Sequence, residues 1–153
     1  MSWETHIVDA TVEIFSTMLM MDVNAQPPLA ERIKIHQNSV SGMVGMAGMY
    51  KGMLAIHAPA SVAMTITGSF LGLEVAEVDD DVKDAMGELA NMLAGSIKAK
   101  LSDNSKDIQL SIPSAVCGDS YSLDYQPKSG SSMVPFESGD GQFLVELQLE
   151  QQA

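Results

Sequence analysis

Apolar residues recur every three or four positions between residues 78 and 101. This spacing matches the helical period of about 3.6 residues and predicts a long amphipathic helix. Aspartates stand at its expected start and lysines near its expected end, where each charge suits the helix dipole. A similar pattern over residues 5–19 predicts another long helix, which Pro27 and Pro28 prevent from continuing.

Alternating apolar and polar residues predict β-strands on both sides of the later helix. The strands are expected within 33–56 and over 107–112, 121–125 and 142–149. Segments rich in Gly, Pro, Ser and Asp, at 127–132 and 138–141, are expected to form turns. This order predicts an α+β fold in which two long helices pack on one face of an antiparallel sheet.

The stretch between Lys51 and Glu74 contains no charged residue and is long enough to suggest a membrane span. Polar residues, glycines and Pro59 interrupt it. They favour a strand that runs into Pro59, followed by a short helix, and leave a transmembrane helix as the alternative.

Length and charge restrict the class of protein. A chain of 153 residues that is 46% hydrophobic suits a single domain, 1–153. Its formal charge of -12 disfavours nucleic acid and anionic membrane surfaces as partners. The single cysteine, Cys117, cannot form an internal disulfide, and the first residues lack a signal-peptide pattern. We therefore expect a cytoplasmic protein in which Cys117 is a buried structural thiol.

The chain also repeats itself. An offset of 75 residues lays segment 9–16 over segment 84–91. The matched polar positions are Asp9 with Asp84, Glu13 with Glu88, and Ser16 with Asn91. We predict two copies of a helix-plus-strands unit, about 5–73 and 78–150, related by an approximate twofold axis.

A polar line runs along the later helix. Asp84, Glu88 and Asn91, at i, i+4 and i+7, fall on the side opposite the apolar residues, with Gly87 and Gly95 beside them. This combination predicts an exposed strip of low relief that another protein can approach closely. An ordinary solvated helix face is the alternative.

In this context the sequence resembles the CheC and CheX type phosphatases of bacterial chemotaxis, which are related to the flagellar switch proteins FliY and FliM. The family motif is Asp or Ser, three residues, Glu, two residues and Asn, with a proline further along the chain. Asp84, Glu88 and Asn91 match it, and Pro113 stands near the expected place. The single asparagine is similar to CheX, which carries one site in its second half, and Ser16 marks a degenerate site in the first.

The resemblance implies hydrolysis of the aspartyl phosphate of a response-regulator receiver such as CheY. Asn91 is expected to position water, because a carboxamide can accept a hydrogen bond from water and donate one to a phosphoryl oxygen. Glu88 is expected to pair with the receiver's lysine, while Asp84, Gly87 and Gly95 contact the partner. No cofactor of the chain's own is expected, and Mg²⁺ would come with the receiver.

A non-catalytic module that binds a receiver or the flagellar switch is the alternative function. Asn91 favours hydrolysis, because a binding surface has no special need of a water-positioning carboxamide. A homodimer is also expected, from the resemblance to CheX and from the open strand edges of the Gly- and Met-rich segment 42–53.

The methionines and histidines that could bind a metal are interpreted as structural residues. Met43, Met46 and Met49 have a spacing that could bind Cu(I), but adaptable packing is the preferred explanation. His6, His36 and His57 are too scattered in the sequence to form a recognisable metal motif.

Overall fold

The computed structural model describes residues 3–101, 107–123 and 131–151. Helices and strands follow one another as α1 (Trp3–Met18), β1 (Asn24–Ala25), β2 (Ile35–Gly48), β3 (Tyr50–Pro59), α2 (Ala60–Leu71), α3 (Asp80–Leu101), β4 (Ile108–Leu110), β5 (Ser114–Ser122), β6 (Ser131–Ser138) and β7 (Gly141–Gln151). The strands pair antiparallel, which confirms the predicted α+β class.

The sheet has the strand order β1-β6-β7-β3-β2-β4, and β5 also pairs with β2. Strands β3 and β7 meet at its centre, where Ile56 lies opposite Val145. Both side chains are fully buried in one hydrophobic core with Leu89 and Leu93 of α3. The two long helices were therefore predicted correctly, because their apolar stripes are the part of the chain that covers the sheet.

The uncharged stretch forms β3 and α2. Pro59 ends the strand and occupies the N-cap position of the helix, as the sequence predicted. Ile56 and Ile66 from this stretch are fully buried in the core. Across the described ranges, no helix combines the length and apolar character needed to cross a membrane.

The strand predicted at 121–125 coincides only with the end of a longer strand. The strand there is β5, Ser114–Ser122, and residues 124 and 125 lie outside the described ranges. Its side chains do not alternate between buried and exposed, so period-2 patterning cannot reveal it. Hydrogen bonding to β2 holds it in the sheet instead. Strand β6 was also missed, since it begins within the predicted turn 127–132.

Each half of the chain contains a long helix followed by strands, but the element separations vary. Helices α1 and α3 begin at Trp3 and Asp80, whereas the central strands β3 and β7 begin at Tyr50 and Gly141. The number of residues from the start of α1 to the start of α3 differs from the number between the starts of β3 and β7. The constant offset of 75 residues therefore does not extend from the helices to these strands. The repeat boundaries 5–73 and 78–150 stay a prediction.

Helix α3 lies unusually close to β2 at Gly42. A Cβ atom at this position would be 2.2 Å from the carbonyl oxygen of Met86, a backbone atom of the helix. Glycine is required there because it lets the helix backbone approach the strand directly. This contact sets the height of α3 above the sheet.

Gly42→Ala should lower the free energy of unfolding by about 2 kcal/mol or more, because the methyl group must displace helix backbone. Gly95→Ala is a matched control, since its Cβ would meet nothing within 4 Å. That control should stabilise α3 by up to about 1 kcal/mol. Urea unfolding of both variants measures the difference, and an unchanged midpoint for Gly42→Ala would contradict the close contact.

Candidate active site

The orientation of α3 is fixed at its start and along its buried face. The Val82 amide donates to Oδ1 of Asp79 at 3.2 Å, so Asp79 satisfies one of the free N–H groups of the first turn. The fully buried side chains of this helix include Met86, Leu89 and Leu93. Because these residues face the sheet, residues on the opposite side of the helix face solvent.

The predicted polar line lies on that outer side. Asp84 and Glu88 are exposed, and Asn91 is half-buried. Glu88 and Asn91 are three residues apart on the helix, which places their Cβ atoms roughly 5–6 Å from each other. Within the described part of the chain, none of these three side chains has a hydrogen-bond or ion-pair partner. Their polar atoms are available to another molecule.

A groove of about 440 Å³ runs beside the line. It is lined by Lys83, Asp84, Gly87, Glu88, Pro113, Ser114 and Ala115. The fold thus brings Pro113 to the helix residues it accompanies in the motif. Lys83 was not predicted as a residue of the site. Its position next to Asp84 in the sequence could have indicated it. Asn91 and Gly95 lie further along the helix, outside the lining.

Gly87 was predicted to belong to an exposed strip, but it is buried. A Cβ atom there would lie 3.7 Å from the Cβ of Pro113 and 3.8 Å from the Ser114 carbonyl oxygen. The segment that approaches this glycine therefore belongs to the chain itself. Gly95 is half-buried with open space around it. Roles for both glycines in partner binding stay predictions.

The corresponding line of the first helix is also open to solvent. Asp9, Glu13 and Ser16 of α1 are all exposed. The hydroxyl of Ser16 occupies the position where the later helix carries an amide, so this line lacks the carboxamide of the motif.

Comparison with known proteins identifies the family. A family model described as chemotaxis phosphatase CheX matches residues 40–137, which is more than half of the chain. The chain belongs to the CheX family. This CheX match includes Asp84, Glu88, Asn91 and Pro113, the residues that carried the resemblance.

Individual CheX relatives agree with this assignment. The CheY-P phosphatase CheX of Thermotoga maritima is 28% identical over 94 residues, which cover 61% of this chain and 60% of the relative. The crystal structure of a CheX from Desulfovibrio desulfuricans is 29% identical, with a TM-score of 0.83 and coverage of 95% of this chain and 97% of the other. A CheX-CheY-BeF3-Mg²⁺ complex from Borrelia burgdorferi is 20% identical over 98% and 99% of the two chains; its TM-score of 0.81 shows the shared fold.

A second cluster of titratable residues lies on the opposite face of the sheet from the CheX motif. Glu146 is completely buried there, and its carboxylate accepts hydrogen bonds from both Arg32 and His57. The Ser41 hydroxyl connects His57 Nδ1 and the Tyr121 hydroxyl, with 2.7 Å to each. These partners compensate the cost of removing the carboxylate from water.

Two of the histidines that are scattered in the sequence come together in the fold. The rings of His36 and His57 stack with centroids 4.2 Å apart. His36 and Ser41 lie five positions apart, so strict alternation would place them on opposite faces, yet both contact His57. Asn38 between them has a φ of 45°, which interrupts the pleat. Sequence spacing alone could not reveal this grouping.

Burial and charge determine the ionisation of this cluster. Burial is the main cause that lowers the pKa of His36 to about 4, and His57 lowers it further. Burial alone raises the pKa of Glu146, but hydrogen bonds from His57, Arg32 and Gln148 outweigh it and leave the pKa below its ordinary value. Burial raises the pKa of Tyr121. The folded protein therefore favours a neutral His36 beside an ionised Glu146.

Two other expectations concern thiol and thioether side chains. Cys117 is exposed on β5, so its prediction as a buried thiol was wrong. Met46 is buried, Met43 is half-buried and Met49 is partly exposed, which fits packing along a strand. Throughout the described segments, no group of three or more His, Cys, Asp or Glu residues could hold a metal ion.

The low pKa of His36 predicts a pH dependence of stability. The unfolded chain binds a proton at His36 below about pH 6.5, whereas the folded chain does so only near pH 4, so stability falls as the pH falls through this window. Lowering the pH from 7 to 5 should cost about 2 kcal/mol from this residue. Urea unfolding should show a smaller loss for His36→Phe, which keeps an aromatic ring against His57. An equal loss in both proteins would contradict the assignment.

Proposed function

We propose that this chain hydrolyses the aspartyl phosphate of a response-regulator receiver such as CheY, in chemotaxis or related two-component signalling. The observation that carries the proposal is the motif itself: Glu88 and Asn91 stand one helical turn apart on the outer side of α3, in a chain of the CheX family. The chain matches 60% of the length of the Thermotoga CheY-P phosphatase, and that relative's activity supports the proposal.

The chemistry requires little from the phosphatase beyond positioning. Water attacks phosphorus, the bond between phosphorus and the aspartyl oxygen breaks, and inorganic phosphate leaves the receiver's carboxylate. Since the transferring phosphoryl group needs little covalent assistance, the main contribution is an oriented water and managed charge. The Asn91 amide oxygen accepts a hydrogen bond from that water, and its NH₂ group donates to a phosphoryl oxygen.

The neutrality of Asn91 is important for this role. An aspartate at the same place would add a negative charge beside an anionic phosphoryl group, at a cost of about 1 kcal/mol at 4 Å in water and more where water is excluded. Serine is neutral but has only one hydroxyl group, on a shorter side chain. Asparagine provides an acceptor and a donor on separate atoms without added charge.

Glu88 has a separate role in the proposed complex. Its exposed carboxylate pairs with the lysine of the receiver's active site and thereby orients α3. Asp84, Gly87 and Gly95 contribute the surrounding contact surface. The receiver supplies Mg²⁺, and this chain contributes no cofactor. The Borrelia CheX-CheY-BeF3-Mg²⁺ complex supports a CheY-like partner that brings its own metal.

The remaining features of the proposal concern the whole molecule. The chain acts as a single cytoplasmic domain over residues 1–153, and two copies form a homodimer. The formal charge of -12 supports the exclusion of nucleic acid and anionic membrane as partners. A non-catalytic module that binds a receiver or the flagellar switch is the alternative, and it differs by leaving the phosphorylated receiver intact.

Asn91→Ala and Glu88→Ala should each lower receiver dephosphorylation by about 100-fold or more, because each removes a group that acts in the transition state. Both changes are on the outer side of α3, so thermal unfolding should be nearly unchanged. Glu137→Ala, at an exposed carboxylate of β6, is the control and should keep full activity. Near-normal hydrolysis by either folded variant would contradict its assigned role.

Ser16→Asn in an Asn91→Ala background should restore detectable dephosphorylation. The exposed Asp9, Glu13 and residue 16 of α1 would then repeat the Asp, Glu and Asn positions of the motif. Hydrolysis by the double variant is compared with that by Asn91→Ala alone, after circular dichroism has shown that both are folded. No recovery in a folded double variant would mean that the repeat preserves a helix face without a usable catalytic surface.

A further inference from the structure

Ile112 stands next to the groove of the motif and has almost no contact with the rest of the chain. It lies between β4 and β5, directly before Pro113, which lines the groove with Glu88. The side chain is 88% exposed, the highest value for any large hydrophobic residue that the structure describes. Folding therefore does not explain why an isoleucine occupies this position.

Hydrogen bonds hold the backbone around Ile112 in place. The Ser111 amide donates to the Gly45 carbonyl at 2.9 Å, and the Gly45 amide donates to Ser111 Oγ at 2.8 Å. The same hydroxyl donates to the carbonyl oxygen of Ile112 at 3.1 Å. Pro113 further restricts the backbone of the residue before it to extended conformations. The isoleucine is thus an exposed apolar side chain on a fixed support.

We propose that Ile112 is an apolar anchor that binds the receiver beside its phosphorylated aspartate; this inference rests on the proposed phosphatase function. Glu88 and Pro113 both line the groove, and Ile112 precedes Pro113 in the chain. We therefore expect a receiver seated over Glu88 to reach Ile112 as well. A fixed apolar side chain loses little conformational freedom on binding, which makes its burial efficient. The receiver surface that meets it is an apolar patch beside the aspartyl phosphate.

The anchor acts in binding rather than in chemistry. Ile112 contributes no polar atom from its side chain to the reacting group, so its contact stabilises the bound receiver and the transition state equally. Ile112→Ser should therefore raise KM for the phosphorylated receiver about tenfold or more and leave kcat nearly unchanged. Asn91→Ala should have the opposite effect, a large decrease in kcat with a smaller change in KM.

A matched control is available at the other end of β5, on its partner strand β2. Ile35 is 62% exposed and pairs with Ser122, at the end of β5 remote from Ser114 and roughly 26 Å away along the strand. Ile35→Ser removes the same side chain and should leave both KM and kcat unchanged. Circular dichroism and sedimentation accompany each variant.

Binding is also measured with the Asn91→Ala chain, which holds the phosphorylated receiver without rapid hydrolysis. Adding Ile112→Ser to it should weaken binding by the same factor as the rise in KM. An unchanged KM and affinity in an active enzyme would overturn the anchor and leave the proposed function intact. A change in oligomeric state on Ile112→Ser would overturn it too, by assigning the isoleucine to contact between copies. If no receiver is dephosphorylated or bound by the unmodified chain, the proposed function fails first.

Discussion

The position of the candidate site depends on one close contact between a helix and a strand. At Gly42 the absence of a side chain lets the backbone of α3 rest on β2 near Met86. A residue with a Cβ atom would have to push this part of the helix outward, because that atom would lie 2.2 Å from a helix carbonyl oxygen. Glu88 and Asn91 follow within the next two turns, so their height above the sheet is set by the same contact. A catalytic surface made of side chains on a helix is only as well positioned as the helix itself.

The two faces of the sheet are stabilised in different ways. Apolar side chains fill the space beneath the helices, whereas a carboxylate, two histidines and hydroxyl groups lie together on the opposite face. Arg32 connects this face to the end of β5 by donating to both Glu146 and the Leu123 carbonyl. An unpaired charge at Glu146 would be strongly destabilising, because the carboxylate is fully removed from water. The cluster therefore favours one register between β7, β3, β2 and β5. Strand β5 begins at the groove.

In the proposed function, recognition of a phosphorylated partner has to overcome the chain's own negative charge. A formal charge of -12 repels an anionic receiver at long range, although salt screens this repulsion beyond about 8 Å. Short-range contacts must then supply the affinity. The proposed pairing of Glu88 with a lysine, the amide of Asn91 and the apolar anchor at Ile112 are contacts of this kind, and none of them depends on a large pocket. The proposed catalytic surface can thus be open, because in this proposal the phosphoryl group and the metal arrive with the partner.

The sequence by itself determined the features that depend on the period of one element. The spacing of apolar residues predicted α1 and α3, and the same period placed Asp84, Glu88 and Asn91 on the outer side of α3. Pro59 separated a strand from a helix for an equally local reason, the fixed geometry of its ring. Such features follow from residues a few positions apart, whose relative directions the backbone fixes.

Only the tertiary structure decided which residues from distant elements meet. In the folded chain, the close contact between α3 and β2 lies at Gly42. Pro113 packs against Gly87, which we had predicted from the sequence to lie on an exposed strip. The tertiary structure also brought His36, His57 and Glu146 together from three strands, through a register and a backbone turn at Asn38 that no local pattern encodes. The physical reason is that strand pairing joins residues of any sequence separation, and its register is selected by the packing of the whole sheet.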